Sequence, residues 1–133
     1  MSRENVELVR RSIEAWNQRD LKTLMSYTTS DVEWEAGGPA AVERPFYEGR
    51  DELARGTEAL WETWEEFRLQ ETEVRDLGDS VLWMGSMLLK GGVSQVELDQ
   101  EFAIRFSVRD GEIARGKAFL SCQKALEAAG LSE

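Results

Sequence analysis

The chain contains no histidine. That removes the side chain that titrates nearest neutral pH and the commonest ligand of transition metals. Ser-His-Asp and Cys-His catalysis are excluded with it. Cysteine is nearly as scarce: Cys122 stands alone, so no internal disulfide forms, a reducing compartment is the simplest setting, and a zinc site has no ligand set. Only an oxygen-ligand site for a hard cation would be left, and neither a metal nor another cofactor is expected. No stretch approaches the roughly 18 apolar residues of a membrane span. The hydrophilic start Met1-Ser2-Arg3-Glu4-Asn5 has no apolar signal core behind it, and a cytoplasmic protein is the expectation. Positive charge is short as well. With 16 basic against 26 acidic side chains and a formal net charge of -10, the surface repels phosphate backbones and anionic lipid heads. Neither nucleic acid nor membrane is an expected partner.

What is present fits one domain over residues 1–133, a length that can bury a core without staples. Val6, Val9, Ile13 and Trp16 recur at helical spacing, and Asp20 is placed to cap a short second helix carrying Leu21, Leu24 and Met25. Asp31 to Glu35 alternates as a half-buried strand, with Val32 and Trp34 inward. The loop Gly37-Gly38-Pro39 to Pro45 follows. Gly49 then opens a third helix whose apolar positions are Leu53, Thr57, Leu60, Trp61 and Trp64. From Phe67 the period becomes two, and turn signals at Leu77-Gly78-Asp79, Gly91-Gly92 and Asp110-Gly111 cut the rest into four strands, hence three hairpins. A last helix, Gln123 to Ala129, ends at Gly130. The order predicts an α+β fold with one sheet and helices packed on one face.

The clearest alternation runs from Val96 to Val108. Val96, Leu98, Gln100, Phe102, Ile104, Phe106 and Val108 share one face, while Gln95, Glu97, Asp99, Glu101, Ala103, Arg105, Ser107 and Arg109 share a wet or subunit-facing one. A two-residue turn at Asp110-Gly111 would put Arg115 and Lys117 on the apolar face, where unpaired cations are costly. A three-residue loop, Arg109-Asp110-Gly111, with a bulge is therefore expected. It turns Ala114, Gly116, Ala118 and Leu120 inward. Small residues there, with Gly85, would leave space above the sheet, and five tryptophans suggest broad flat walls around it.

Several strings, collinear over nearly the whole chain, resemble the SnoaL-like polyketide cyclase family of the nuclear transport factor 2-like superfamily. They are Asn5-Val6-Glu7-Leu8-Val9-Arg10 with Trp16 and Asp20, Asp31-Val32-Glu33-Trp34, Tyr47-Glu48-Gly49-Arg50, Arg109-Asp110-Gly111-Glu112-Ile113 and Ala125-Leu126-Glu127-Ala128-Ala129-Gly130-Leu131. The resemblance implies a cone: a strongly curved antiparallel sheet wrapped by three N-terminal helices around a pocket, and a homodimer through the sheet's outer face. It does not transfer an activity, because the superfamily holds cyclases, isomerases, epoxide hydrolases, dehydratases and binding modules. The catalytic Asp of its epoxide hydrolases falls on Ala118, their Arg and second Asp near Gly85 and Met87, and their Tyr and Asn on Trp34 and Ala36. The base of ketosteroid isomerases also falls near Trp34. The His, Tyr and Asp of many SnoaL-like relatives are replaced by Ile104, Phe119 and Ser121.

An apolar pocket binding a small hydrophobic molecule is the leading expectation. Its candidate lining is Trp16, Trp34, Phe46, Trp61, Trp64 and Trp83, with Gly85, Met87, Gln100, Phe102, Ile104, Gly116 and Ala118. Ordinary core packing explains the aromatics equally well. The alternative is a polyketide cyclase, ketosteroid isomerase or epoxide hydrolase type of enzyme. It would use an acid such as Asp31 or Glu35 with Tyr27 or Tyr47 as partner, provided burial brings the carboxyl near working pH. A third reading has side chains fill the cone and leaves a purely structural or protein-binding dimer.

Overall fold

A computed structural model describes residues 2–37, 45–91 and 96–131. The expected loop positions Gly38 to Arg44, the turn residue Gly92 and the strand residue Gln95 lie outside them. The elements are α1 (Ser2–Asn17), α2 (Leu21–Ser26), β1 (Thr28–Glu35), β2 (Phe46–Glu48), α3 (Arg50–Thr63), β3 (Trp64–Asp76), β4 (Ser80–Gly91), β5 (Glu97–Arg109), β6 (Glu112–Phe119) and α4 (Cys122–Ala128). Val9 and Ile13 bury the inner face of α1, contributing roughly 1.5–3 kcal/mol each. Asp20 accepts a hydrogen bond from the Thr23 amide at 3.2 Å and caps α2. The Thr23 hydroxyl first, and then this amide bond, hold its carboxyl below the ordinary range. Strand β2 was not expected, and Trp64 opens β3 rather than closing the helix before it.

The sheet runs β2-β1-β6-β5-β4-β3. The three hairpins β3–β4, β4–β5 and β5–β6 form as expected, but β1 pairs with β6 in parallel, so the sheet is mixed. Outward-facing acids of β1 meet bases of β5 and β6: Asp31–Arg109 at 2.8 Å, Glu33–Arg115 at 3.7 Å and Glu35–Lys117 at 3.9 Å. Exposed pairs of this kind add little stability. Opposite charges side by side do favour this register over one that sets like charges together.

The turn before β6 corrects an expectation. Asp110 and Gly111 both take positive φ, 53° and 78°, and Val108 pairs with Ile113: a two-residue primed turn, not a three-residue loop. A bulge then leaves Ala114 unpaired, so that Ser107 faces Arg115, and Gly116 and Ala118 sit opposite Phe106 and Ile104. Arg115 and Lys117 point outward, as burial cost requires, through a bulge placed after the turn instead of within it. Leu120 does not join the inner row; it is 46% exposed.

The outer face is not wholly wet, and the helices do not all pack on one side. Ala125 of α4 is fully buried with Leu82, Met84 and Ala103, because these outward positions of β4 and β5 are apolar and need a cover. Conversely, the inner row of β5 runs out of the core at its start, where Val96 and Leu98 are exposed. At the free edge of the sheet, α1 ties down β3. Trp16 Nε1 donates to the Phe67 carbonyl at 2.9 Å, and the Asn17 amide exchanges bonds with Leu69 at 2.9 and 2.8 Å. Such side-chain pairing satisfies backbone groups that an edge strand otherwise leaves open.

Candidate functional site

Between the sheet's inner face and the first three helices lies a cavity of about 90 Å³. Phe102, Ile104 and Phe106 of β5 with Ala118 of β6 form its floor; Ile13 and Trp16 of α1 cover it; Leu53, Gly56, Thr57 and Leu60 of α3 form one side. Met25, Thr28, Trp34 and Tyr47 also line it.

Two glycines let the aromatics lie as they do. A Cβ on Gly116 would stand 2.1 Å from Cζ3 of Trp34, and a Cβ on Gly56 would stand 2.7 Å from Cε1 of Tyr47. Each ring therefore rests directly on backbone. The row of small residues expected to leave a void is at Gly116 filled by indole. Gly85 leaves none either, since a Cβ there would stand 1.9 Å from the Gln70 carbonyl oxygen; it admits the bulged backbone of β3.

Among the described residues the lining holds no Asp, Glu, Lys, Arg or Cys, and Tyr47 is the one ionisable side chain. Its other polar groups are mostly committed. Ser12 Oγ donates to the Val9 carbonyl at 3.1 Å. Thr28 Oγ1 donates to the Met25 carbonyl at 2.7 Å and accepts from Arg50 Nε at 3.3 Å. Trp16 spends its N–H on the wall, not the cavity. Among the described residues no group of three His, Cys, Asp or Glu side chains could hold a metal ion.

The acids considered for catalysis stand outside. Asp31 is exposed on the outer face; the Thr29 hydroxyl and then Arg109 keep its carboxyl below the ordinary range, the reverse of what a buried general base needs. Glu35 faces outward beside Lys117. Tyr27 packs half-buried against the core without reaching the cavity, whereas buried Tyr47 lines it.

Of the residues considered for ligand contact, Trp16, Trp34, Phe102, Ile104 and Ala118 line the cavity. The others stand elsewhere. Phe46 follows the opposite parity to Tyr47 and is 38% exposed. Trp61 packs edge-on against Trp16 from behind, at 5.3 Å between centroids. Trp64 is half-buried at the start of β3. Trp83 and Met87 are sealed in the core. Gln100 turns its amide to the carbonyls of Glu101 and Leu120. Gly116 serves as the seat of Trp34. Missed altogether were Met25, Leu53, Gly56 and Thr57, whose spacing reads as plain helix core. Gly56 carried the one available signal, because a mid-helix glycine costs about 1 kcal/mol against alanine and asks for a packing reason.

An inner cavity closed by three helices over a curved six-stranded sheet defines the ketosteroid isomerase-like, nuclear transport factor 2-like α+β class. Within it the chain belongs to the SnoaL-like domain family, whose sequence profile matches residues 9–116. Comparison with curated proteins returns no match. Among solved structures, a nuclear transport factor 2-like protein from Burkholderia pseudomallei K96243 is similar at TM-score 0.79 and 19% identity, over 93% of this chain and 95% of that one. A protein from Xanthomonas campestris pv. campestris, provisionally named a polyketide cyclase, is similar at TM-score 0.79 and 18% identity, over 95% and 96%. A ketosteroid isomerase-like fold from Catenulispora acidiphila DSM 44928, in complex with trimethylamine, is similar at TM-score 0.74 and 17% identity, over 94% and 93%. At these identities the likeness concerns the fold. No helix is long and apolar enough to cross a membrane, among the described residues.

Proposed function

We propose that the chain binds a compact, predominantly apolar molecule in the cavity under α1 and α3. The observation that carries this reading is a cavity whose described lining is almost entirely hydrocarbon and aromatic surface, with no carboxylate, ammonium, guanidinium or thiol among the described residues. Such a site has shape and dispersion to offer and lacks an acid–base pair to drive cyclisation, isomerisation or hydrolysis. The enzyme reading would need Asp31 or Glu35 inside, and both are ion-paired on the outer face.

The test is a panel of small apolar molecules followed by thermal shift and by quenching of tryptophan fluorescence, since Trp16 and Trp34 form part of the wall. Saturable binding with a rise in melting temperature is expected. No response across the panel removes the proposal. A homodimer through the outer face belongs to the same reading, confined to the ground that α4 leaves open on that face. A monomer mass by light scattering at micromolar concentration removes that part.

A further inference from the structure

Trp34 occupies a singular place in the packing. It is in contact both with the large cluster under α1, which includes Ile104 and Phe106, and with the smaller cluster of Met25, Val32, Tyr47 and Leu53. The cavity draws its lining from both clusters at their junction. The indole meets Phe106 edge-on at 5.8 Å between centroids and lies against the Gly116 backbone. It is therefore a wedge between two halves of one core, set by a glycine that has no other evident use. The cavity beside it, at about 90 Å³, is of the same order as the roughly 150 Å³ of an engineered apolar cavity that takes a single benzene ring.

We infer that Trp34, seated on Gly116, sets the upper size of the ligand at about one small ring, and that a narrower side chain at position 34 would join the two halves into a site for a bicyclic molecule. The inference rests on the binding proposed above and adds to it a class of ligand and the residue that selects it. The physical reason is steric: a close-packed wall rejects added atoms, each carbon too many costing about tenfold or more in affinity. A void left by indole removal and lined by Phe106, Ile104 and Met25 stays dry and receptive.

The experiment titrates fluorobenzene and 1-fluoronaphthalene against the intact chain and its Trp34→Ala and Gly116→Ala variants, followed by fluorine NMR with circular dichroism to confirm folding. The unmodified chain is expected to bind fluorobenzene about tenfold or more tightly than 1-fluoronaphthalene. Trp34→Ala should reverse or abolish that preference. Gly116→Ala, whose new methyl drives the indole toward the cavity, should lose fluorobenzene. Equal binding of both probes by the unmodified chain, an unchanged preference in Trp34→Ala, or unchanged fluorobenzene binding in a folded Gly116→Ala would each overturn the inference. If Trp34→Ala binds the bicyclic probe while the unmodified chain binds neither, the wedge stands and the proposed binding function falls. If no form binds either probe, both fall. Should Trp34→Ala fail to fold, Trp34→Leu replaces it, and Gly116→Ala decides independently.

Discussion

At the scale of single residues, the thiol of Cys122 shows how position decides reactivity. It opens α4 with its sulfur toward the Phe102 carbonyl at 3.8 Å, while its amide donates to a Glu101 carboxylate oxygen at 2.8 Å. Burial first, and then the neighbouring Glu101 carboxylate, push the thiol up to about 11. Both disfavour the thiolate, which is the reactive form. At pH 8 iodoacetamide should label native Cys122 on the order of a hundredfold more slowly than the same chain unfolded in guanidinium. Equal rates would show that neither burial nor Glu101 governs it. The sequence revealed that this cysteine was single but not that it lies beside Glu101, a neighbour 21 positions away. The same limit applies to Trp34. Its inward direction followed from alternation with Glu33 and Glu35, whereas its contact with Gly116 depends on a parallel strand pairing that no local pattern encodes.

At the scale of elements, α4 shows the same division. Its end was legible because Gly130 can end a helix, while its start, capped by Ser121, was placed one residue late. Ser121 accepts from the Lys124 amide at 3.1 Å, and Gly130 takes a φ of 79°. Its docking face was not legible. A single turn or two with Ala125 and Leu126 fits either side of a sheet, and only the apolar outward positions Leu82, Met84 and Ala103 select the outer one. Strand β2 escaped notice for a related reason, since three residues are too few to show a period. The register of β6 was right in its facing from Arg115 to Ala118 and wrong before it, where Ile113 rather than Ala114 lies inward, because the cost of burying Arg115 and Lys117 demands a bulge without saying where. Substituting Ala125→Asp places a carboxylate at a fully buried position of this interface. It should destabilise the protein by about 3 kcal/mol or more and expose apolar surface to a hydrophobic dye. Lys124→Asp on the exposed side of the same helix should stay within about 0.5 kcal/mol. Equal melting temperatures for Ala125→Asp and the parent would mean that α4 contributes nothing where it docks.

At the scale of the whole molecule, two electrostatic effects oppose each other. The row Asp31–Arg109, Glu33–Arg115 and Glu35–Lys117 attracts across β1, β5 and β6, but every partner is at least 43% exposed, so each pair is weakened by water as well as by salt. Against it stands a net charge of -10 on 133 residues, whose mutual repulsion is spread over the entire surface and sums over many pairs. Raising ionic strength from about 0.01 M to about 0.15 M shortens the screening length from about 30 Å to about 8 Å. That change removes most of the long-range repulsion while the partners in contact, at 2.8 to 3.9 Å, lose proportionally less. The melting temperature should therefore rise with sodium chloride over this range, and the rise should shrink in a variant with several surface acids outside the ladder replaced by their amides. A fall would mean that the ladder outweighs the excess negative charge, and the three pairs would then have to be ranked among the principal supports of the parallel strand pairing on which Trp34 depends.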